Sequence, residues 1–240
     1  MSRNLSMGLY QMFHYIQRKR FAEKARNRPL SQQYFSEQIA QHHRIHDTEF
    51  LVIDCEMSGL KASKNQLLSI GWVTIKNLRI VNASCKYFLT HSETGTGDTT
   101  KIHGLMESNI AGATSIASVL LILIKHMQDK VLVFHHAPLD IAFLQRAALH
   151  HFQCPFLFSY IDTLNIEQHR LQLQGKHGGL RLAQCRERYG LLSNNQHNAL
   201  ADAYATAELL LAQASYLGDK KTLTLKSLRV HSTCHWKKAH

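Results

Sequence analysis

The chain has 240 residues, 45% hydrophobic and 19% charged, which excludes a disordered protein and allows one α/β domain with a full core and short extensions. No apolar run approaches the roughly 20 residues of a membrane span, and residues 1–20 lack a continuous apolar stretch and a small-residue cleavage site. The net charge of +11 favours a polyanionic partner whose phosphates exchange counterions for basic side chains, although solubility alone is a competing reading.

Residues 1–47 read as a basic helical extension. Residues 7–25 carry apolar positions at loose helical spacing, with Arg18, Lys19, Arg20, Lys24, Arg26 and Arg28 concentrated at one end. Such a helix suits nucleic acid, a membrane surface or a partner such as a polymerase, or it packs on the outside of the domain. Pro29 ends it, and a second helix begins within 31–40.

The main domain, 48–217, opens with a short apolar strand over 49–55. Two more strands follow over 67–75 and 78–89, joined by a hairpin turn near Lys76-Asn77. A polar, glycine-containing loop covers 91–100, and Gly95-Thr96-Gly97 lacks the ending and setting of a phosphate-binding loop. A helix with a strongly apolar face is predicted over 114–128, capped by Thr114 or Ser115. Then come a buried strand over 130–134, a helix opened by Pro138 and running to about 150, and a strand over 156–161. Asp162 leads into a helix from Thr163; 175–179 is a flexible break; 180–189 is a helix closed by Gly190; and 198–216 is a long alanine- and leucine-rich helix. Residues 218–240 read as a basic tail. Strands first, then helices interleaved with single strands, imply a mixed α/β sheet flanked by helices.

The cysteines, Cys55, Cys85, Cys154, Cys185 and Cys234, are scattered and form no Cys-x-x-Cys pair. They fit reduced thiols and a cytoplasmic location. The 17 histidines match no zinc pattern and read as a solvated surface.

Three acidic stations carry the chemistry. Asp54 and Glu56 are two apart on a predicted strand, so both leave one face, while Cys55 between them points to the core. Unpaired buried carboxylates are very costly, and a shared metal resolves that cost. The competing reading is an exposed edge strand, against which stand Phe50, Leu51, Val52 and Ile53. Asp140 lies in the first turn of its helix after His135-His136-Ala137-Pro138-Leu139, where amide dipoles also favour an ordinary acid. It follows an apolar strand, at the end where α/β proteins place functional loops. His197 sits on the loop entering the last helix and Asp202 one turn inside it, so both can face one site; the competing reading is a capping histidine and a solvated aspartate.

Hard cations prefer carboxylate oxygens, which points to two Mg²⁺ or Mn²⁺ ions clamping a phosphodiester. Asp54 is expected to bridge both ions, Glu56 and Asp202 to hold the water-activating one, and Asp140 to support the other. His197 is the expected general base. The order of the stations suggests an exonuclease working from a 3′ end.

With these motifs in place, residues 49–214 resemble the DEDDh exonucleases of the ribonuclease H-like superfamily, the group of the replicase epsilon proofreading subunit, ribonuclease T and oligoribonuclease. The likeness rests on Asp54-x-Glu56, on His135 to Asp140 with Phe143-Leu144 behind it, on Ile102-His103-Gly104-Leu105 and on His197-x4-Asp202. It implies a mixed, twisted sheet with three antiparallel strands first and hydrolysis releasing 5′-mononucleotides. It also implies that Ser58, Gly59 and Leu60 approach the terminal nucleotide, Leu60 wedging against a base, and that His103 lies near the terminal sugar or base. His136 replaces the asparagine, and Leu139 the phenylalanine, that many relatives carry, which bears on substrate contacts rather than on metal. Asp54 to Leu60 looks more like RNA-trimming members and His197 to Ala203 more like the epsilon type. Single-stranded DNA is the favoured substrate. An exoribonuclease, a non-catalytic nucleic-acid-binding module and an adaptor docking through the basic extension are the alternatives.

Overall fold

The computed structural model describes residues 41–91, 114–192, 198–219 and 222–233. The expected basic helix at 7–25 and the loop at 92–100 lie outside the described residues. A 3₁₀ turn, Ile45–Asp47, leads into strand β1, Glu49–Met57, followed by β2, Leu67–Lys76, and β3, Arg79–His91. The hairpin turn falls on Asn77 and Leu78, whose φ of 50° and 55° match the twist that hairpin strands need. A two-residue strand β4, Thr114–Ser115, then gives way to α1, Ile116–Met127. The helix predicted from 114 therefore starts two residues later, and Ser115 caps it by accepting from the Ser118 amide.

Strand β5, Lys130–Phe134, precedes α2, Ala137–Phe152. Strand β6, Ser159–Asp162, starts later than the apolar run suggested, because Phe156 is taken by a side chain: Gln145 donates to its carbonyl at 2.7 Å and accepts from its amide at 2.9 Å. Helices α3, Thr163–Leu173, α4, Leu182–Glu187, and α5, Ala199–Leu217, complete the frame. A last strand β7, His231–Ser232, was not anticipated within the basic tail, being too short to carry a period-two pattern.

The sheet order is β4-β3-β2-β1-β5-β6-β7. Strands β1, β2 and β3 are antiparallel neighbours, while β5 and then β6 add in parallel to β1. This is the mixed α/β sheet that the element order implied. Strand β1 is central and covered on both faces. Leu51, Ile53 and Cys55 join one core with Leu120 and Leu123 of α1 and Ile141 and Leu144 of α2. Phe50 and Val52 join the other with Ala207, Leu210 and Ala214 of α5. Each fully buried Val, Leu, Ile or Phe among them is worth about 1.5–3 kcal/mol. Packing continues across both expected domain boundaries, since Ile45, Leu223, Leu225 and Leu228 are buried in this second core. No helix among the described residues is long and apolar enough to cross a membrane, and Cys55, Cys85, Cys154 and Cys185 are free thiols.

Candidate active site

Strand β1 outruns its parallel neighbour. Its pairing with β5 ends at Val52, yet the strand continues to Met57. Asp54 and Glu56 extend the row begun by Phe50 and Val52, so they project towards the helix α5 face in the space beyond the end of β5. Opposite Asp54 on β2 stands Gly71. A Cβ there would lie 2.3 Å from the Leu200 amide nitrogen and 2.5 Å from the Ala199 carbonyl carbon. Glycine at this position therefore lets the start of α5 sit directly on the sheet. Asn198 caps that helix, its Oδ1 accepting from Leu200 at 3.0 Å and Ala201 at 3.2 Å, and Asp202 follows in the first turn.

The result is a cluster in which oxygens of Asp54, Glu56 and Asp202 all lie within 4.8 Å of one another. Asp140 approaches from the opposite side. It is buried in the first turn of α2, its carboxyl held by the thiol and amide of Cys55, while its Oδ1 has no hydrogen-bond partner. Burial pushes its pKa up to about 8. Burial, and then the charges of Asp140, Asp202 and Glu56, hold Asp54 well above the usual carboxylate range. An orphaned buried oxygen and mutually repelling acids are what a hard divalent cation relieves, so the donor set fits such an ion. Burial first, then Asp140 and Asp54, likewise push the Cys55 thiol up, consistent with a core residue and not a nucleophile.

The turn between β5 and α2 is shaped by an acid that sequence reading treated only as a helix start. Asp162 accepts from the amides of His136 at 3.0 Å, Ala137 at 3.1 Å and Leu164 at 3.0 Å. Its sequence signal was an acid at a strand-to-helix junction. His136 caps α2 in the left-handed region, with φ 70° and ψ 52°, a conformation in which asparagine is the more usual side chain. His135 is the other unanticipated member. Its Nδ1 lies 2.8 Å from Thr163 Oγ1, and its Nε2 donates to the Leu180 carbonyl at 2.9 Å. Burial holds its pKa below the ordinary imidazole value.

The Ser58–Leu60 segment begins the loop after β1. Ser58 closes this loop, its amide donating to Gln66 O at 3.0 Å and its Oγ accepting from Gln66 N at 2.9 Å. Arg146 of α2 donates to Asn65 O at 3.2 Å and ties the loop to the helix. Leu60 is 80% exposed, so its side chain is no part of the core. Beside the carboxylates opens a cavity of about 580 Å³, lined by Asp54 and Asp202, by His135 and His136, and by residues 180–183. His103 and His197 lie outside the described residues.

Comparison with known proteins agrees with this geometry. A family described as exonuclease matches residues 51–210. A PolC-type DNA polymerase III of Caldanaerobacter subterraneus is 28% identical over 183 residues, which is 75% of this chain and 13% of that protein. The PolC-type polymerase of Streptococcus pyogenes is 26% identical over 166 residues, 69% of this chain and 11% of that protein. The chain thus spans a small fraction of these relatives. An exonuclease I structure and the zinc-bound form of the E. coli exonuclease I complex with single-stranded DNA share the fold. Each has a TM-score of 0.59 and 15% identity over 71% of this chain, covering 43% and 42% of those chains.

Proposed function

We propose a function from one premise: the chain belongs to this exonuclease family, the DnaQ-like 3′–5′ exonucleases. It is a hydrolase of phosphodiester bonds. Beyond that class, we read it as acting on the 3′ end of single-stranded nucleic acid, with DNA favoured over RNA. The observation that carries the reading is the cluster of Asp54, Glu56 and Asp202 within 4.8 Å, pressed from behind by buried Asp140.

Asp54, Glu56 and Asp202 would hold divalent cations, Mg²⁺ or Mn²⁺, with Asp140 supporting one of them. When bound, such ions polarise water and neutralise charge on the leaving 3′ oxygen. The rest falls to the chain itself. His197 takes the proton of the attacking water. Ser58, Gly59, Leu60 and His103 position the terminal nucleotide, and His136 meets the strand beside the carboxylates. The single-stranded DNA named for the exonuclease I complex supports DNA. An RNA-trimming activity is the second reading, favoured by the Asp54 to Leu60 motif.

The test is digestion of matched 5′-labelled single-stranded DNA and RNA with Mg²⁺ or Mn²⁺, beside an Asp54→Ala control. A ladder shortening from the 3′ end in wild type alone is expected, longer-lived on RNA. Binding without cleavage in either metal would sink the reading. In the same assay His197→Ala is expected to lower turnover while largely sparing metal binding, and an unchanged pH–rate profile would remove His197 as the base.

A further inference from the structure

The terminal nucleotide and the rest of the strand must lie on opposite sides of the hydrolysed bond. The Ser58–Leu60 loop takes one side in the reading above, and none of its residues lines the cavity of about 580 Å³. Besides Asp54 and Asp202, that cavity is lined by Leu164 of α3 and by Leu182, Ala183 and Arg186 of α4. Its volume falls within the roughly 300–1,000 Å³ of small-ligand sites, enough for a base with its sugar. Leu164, Leu180, Leu182 and Ala183 give it apolar walls, and among the described lining residues none but Asp54 and Asp202 is acidic.

The arginines nearby are not equivalent. Arg170 and Arg188 pair with buried Glu167 at 2.6 and 3.1 Å. Arg186 pairs with Glu208 at 2.8 Å and donates to the carbonyls of Ala205 and Leu192. It is 4% exposed, lines the cavity, and leaves its Nε without a hydrogen-bond partner. Arg181 lines the same cavity, is exposed, and makes no ion pair among the described residues. The wall that bears it is fixed beforehand. Leu180 O accepts from His135, and Gly179 O accepts from Arg188.

We propose that this cavity receives the nucleotide on the 5′ side of the scissile phosphate, with Arg181 gripping a backbone phosphate there. The inference rests on the exonuclease reading and assigns the cavity wall to holding the retained strand between cuts. Guanidinium suits the role because it binds phosphate oxygens through two parallel N–H bonds.

The experiment compares full-length wild type, Arg181→Ala and Arg181→Lys on two substrates. One is a 5′-labelled single-stranded oligonucleotide. The other is the p-nitrophenyl ester of thymidine 5′-monophosphate, which has a single phosphodiester and no neighbouring phosphate. For Arg181→Ala, KM on the oligonucleotide should rise about tenfold with kcat nearly unchanged, and the slope of log KM against log salt should weaken by about 0.7. The ester should be hydrolysed as by wild type, and lysine should restore part of the loss. An unchanged KM on the oligonucleotide, or an equal loss on both substrates, overturns the proposal. Were wild type to hydrolyse neither substrate, the exonuclease reading would fall. Equal affinities of wild type and Arg181→Ala for the oligonucleotide in a binding titration would then overturn this inference separately.

Discussion

Two acidic regions, one fully buried and one partly open, sit side by side in this fold and are treated in opposite ways. In the wall beside the cavity, Glu167 has a fully buried side chain. Arg170 and Arg188 reach it at 2.6 and 3.1 Å and the Tyr189 hydroxyl donates at 2.8 Å. Burial pushes its pKa up, but the Arg170 and Tyr189 hydrogen bonds and the arginine charges prevail and hold it below the usual value. At the hub, burial first and then the charges of Asp140, Asp202 and Glu56 drive the pKa of Asp54 up. The chain sets its own arginines against the acid of the wall, whereas the carboxylates gathered around Asp54 raise its pKa rather than lower it. A region neutralised internally holds shape, whereas a region left repelling itself has room for a cation from solvent.

Matched carboxylate-to-amide changes sharpen this contrast most strongly. Asp54→Asn is expected to cut hydrolysis about a thousandfold or more, roughly 4 kcal/mol of transition-state stabilisation. It should leave the metal-free melting temperature unchanged or higher, because a repelling charge is gone, and abolish the upward shift that Mg²⁺ or Mn²⁺ gives wild type. Glu167→Gln should do the reverse. It strands two arginines and costs about 3–5 kcal/mol of stability, with turnover per folded molecule retained. Thermal melts with and without metal, beside an oligonucleotide assay, read both. Similar destabilisation by the two changes would break the comparison.

Much of the hub was legible in sequence because its logic is local. The period-two placement of Asp54 and Glu56, the helix start near Asn198 and the helix start around Asp140 each depend on neighbours within one turn or strand. The wall was not legible. Glu167 meets Tyr189 across 22 positions and His135 meets Leu180 across 45, and no spacing rule announces such pairs. Gly71 was invisible for the same reason: it looks like a weak spot in a strand until α5 is laid on it. The late start of β6 depends on Gln145 capturing Phe156, another contact between separate elements.

Gly71→Ala probes the joint that brings Asp202 to Asp54. The added methyl meets helix backbone, which cannot rotate away as a side chain can. Displacing α5 by a fraction of an ångström should lower kcat by about 10- to 100-fold and weaken metal binding, with a smaller loss of melting temperature. Calorimetric titration of Mg²⁺ beside the kinetics tests this. Intact metal affinity with reduced stability would mean that the glycine serves packing alone.

The smallest expected effect is a pH slope whose sign differs between the two regions. Asp140 is raised to about 8 by burial, against an unfolded value of about 3.9. The folded chain therefore holds a proton that the unfolded chain has released. The stability from that proton is fully present below the unfolded value and is lost as pH rises through about 8. Asp54 acts in the same direction. Glu167, lowered, contributes above its unfolded value and loses that contribution only in acid. His135, lowered by burial, loses its contribution as pH falls past the unfolded imidazole value of about 6.5. Between about pH 7 and 8 the raised carboxylates of the hub carry most of the slope among the described groups with a shifted pKa. Metal-free protein should therefore melt lower at pH 8 than at pH 7, by up to about 1.4 kcal/mol per proton and pH unit. Saturating Mg²⁺ should flatten or reverse this, since the cation and the protons compete for the same oxygens. A flat metal-free profile would mean that the hub carboxylates titrate in the fold as they do unfolded, and the distinction from the wall would disappear.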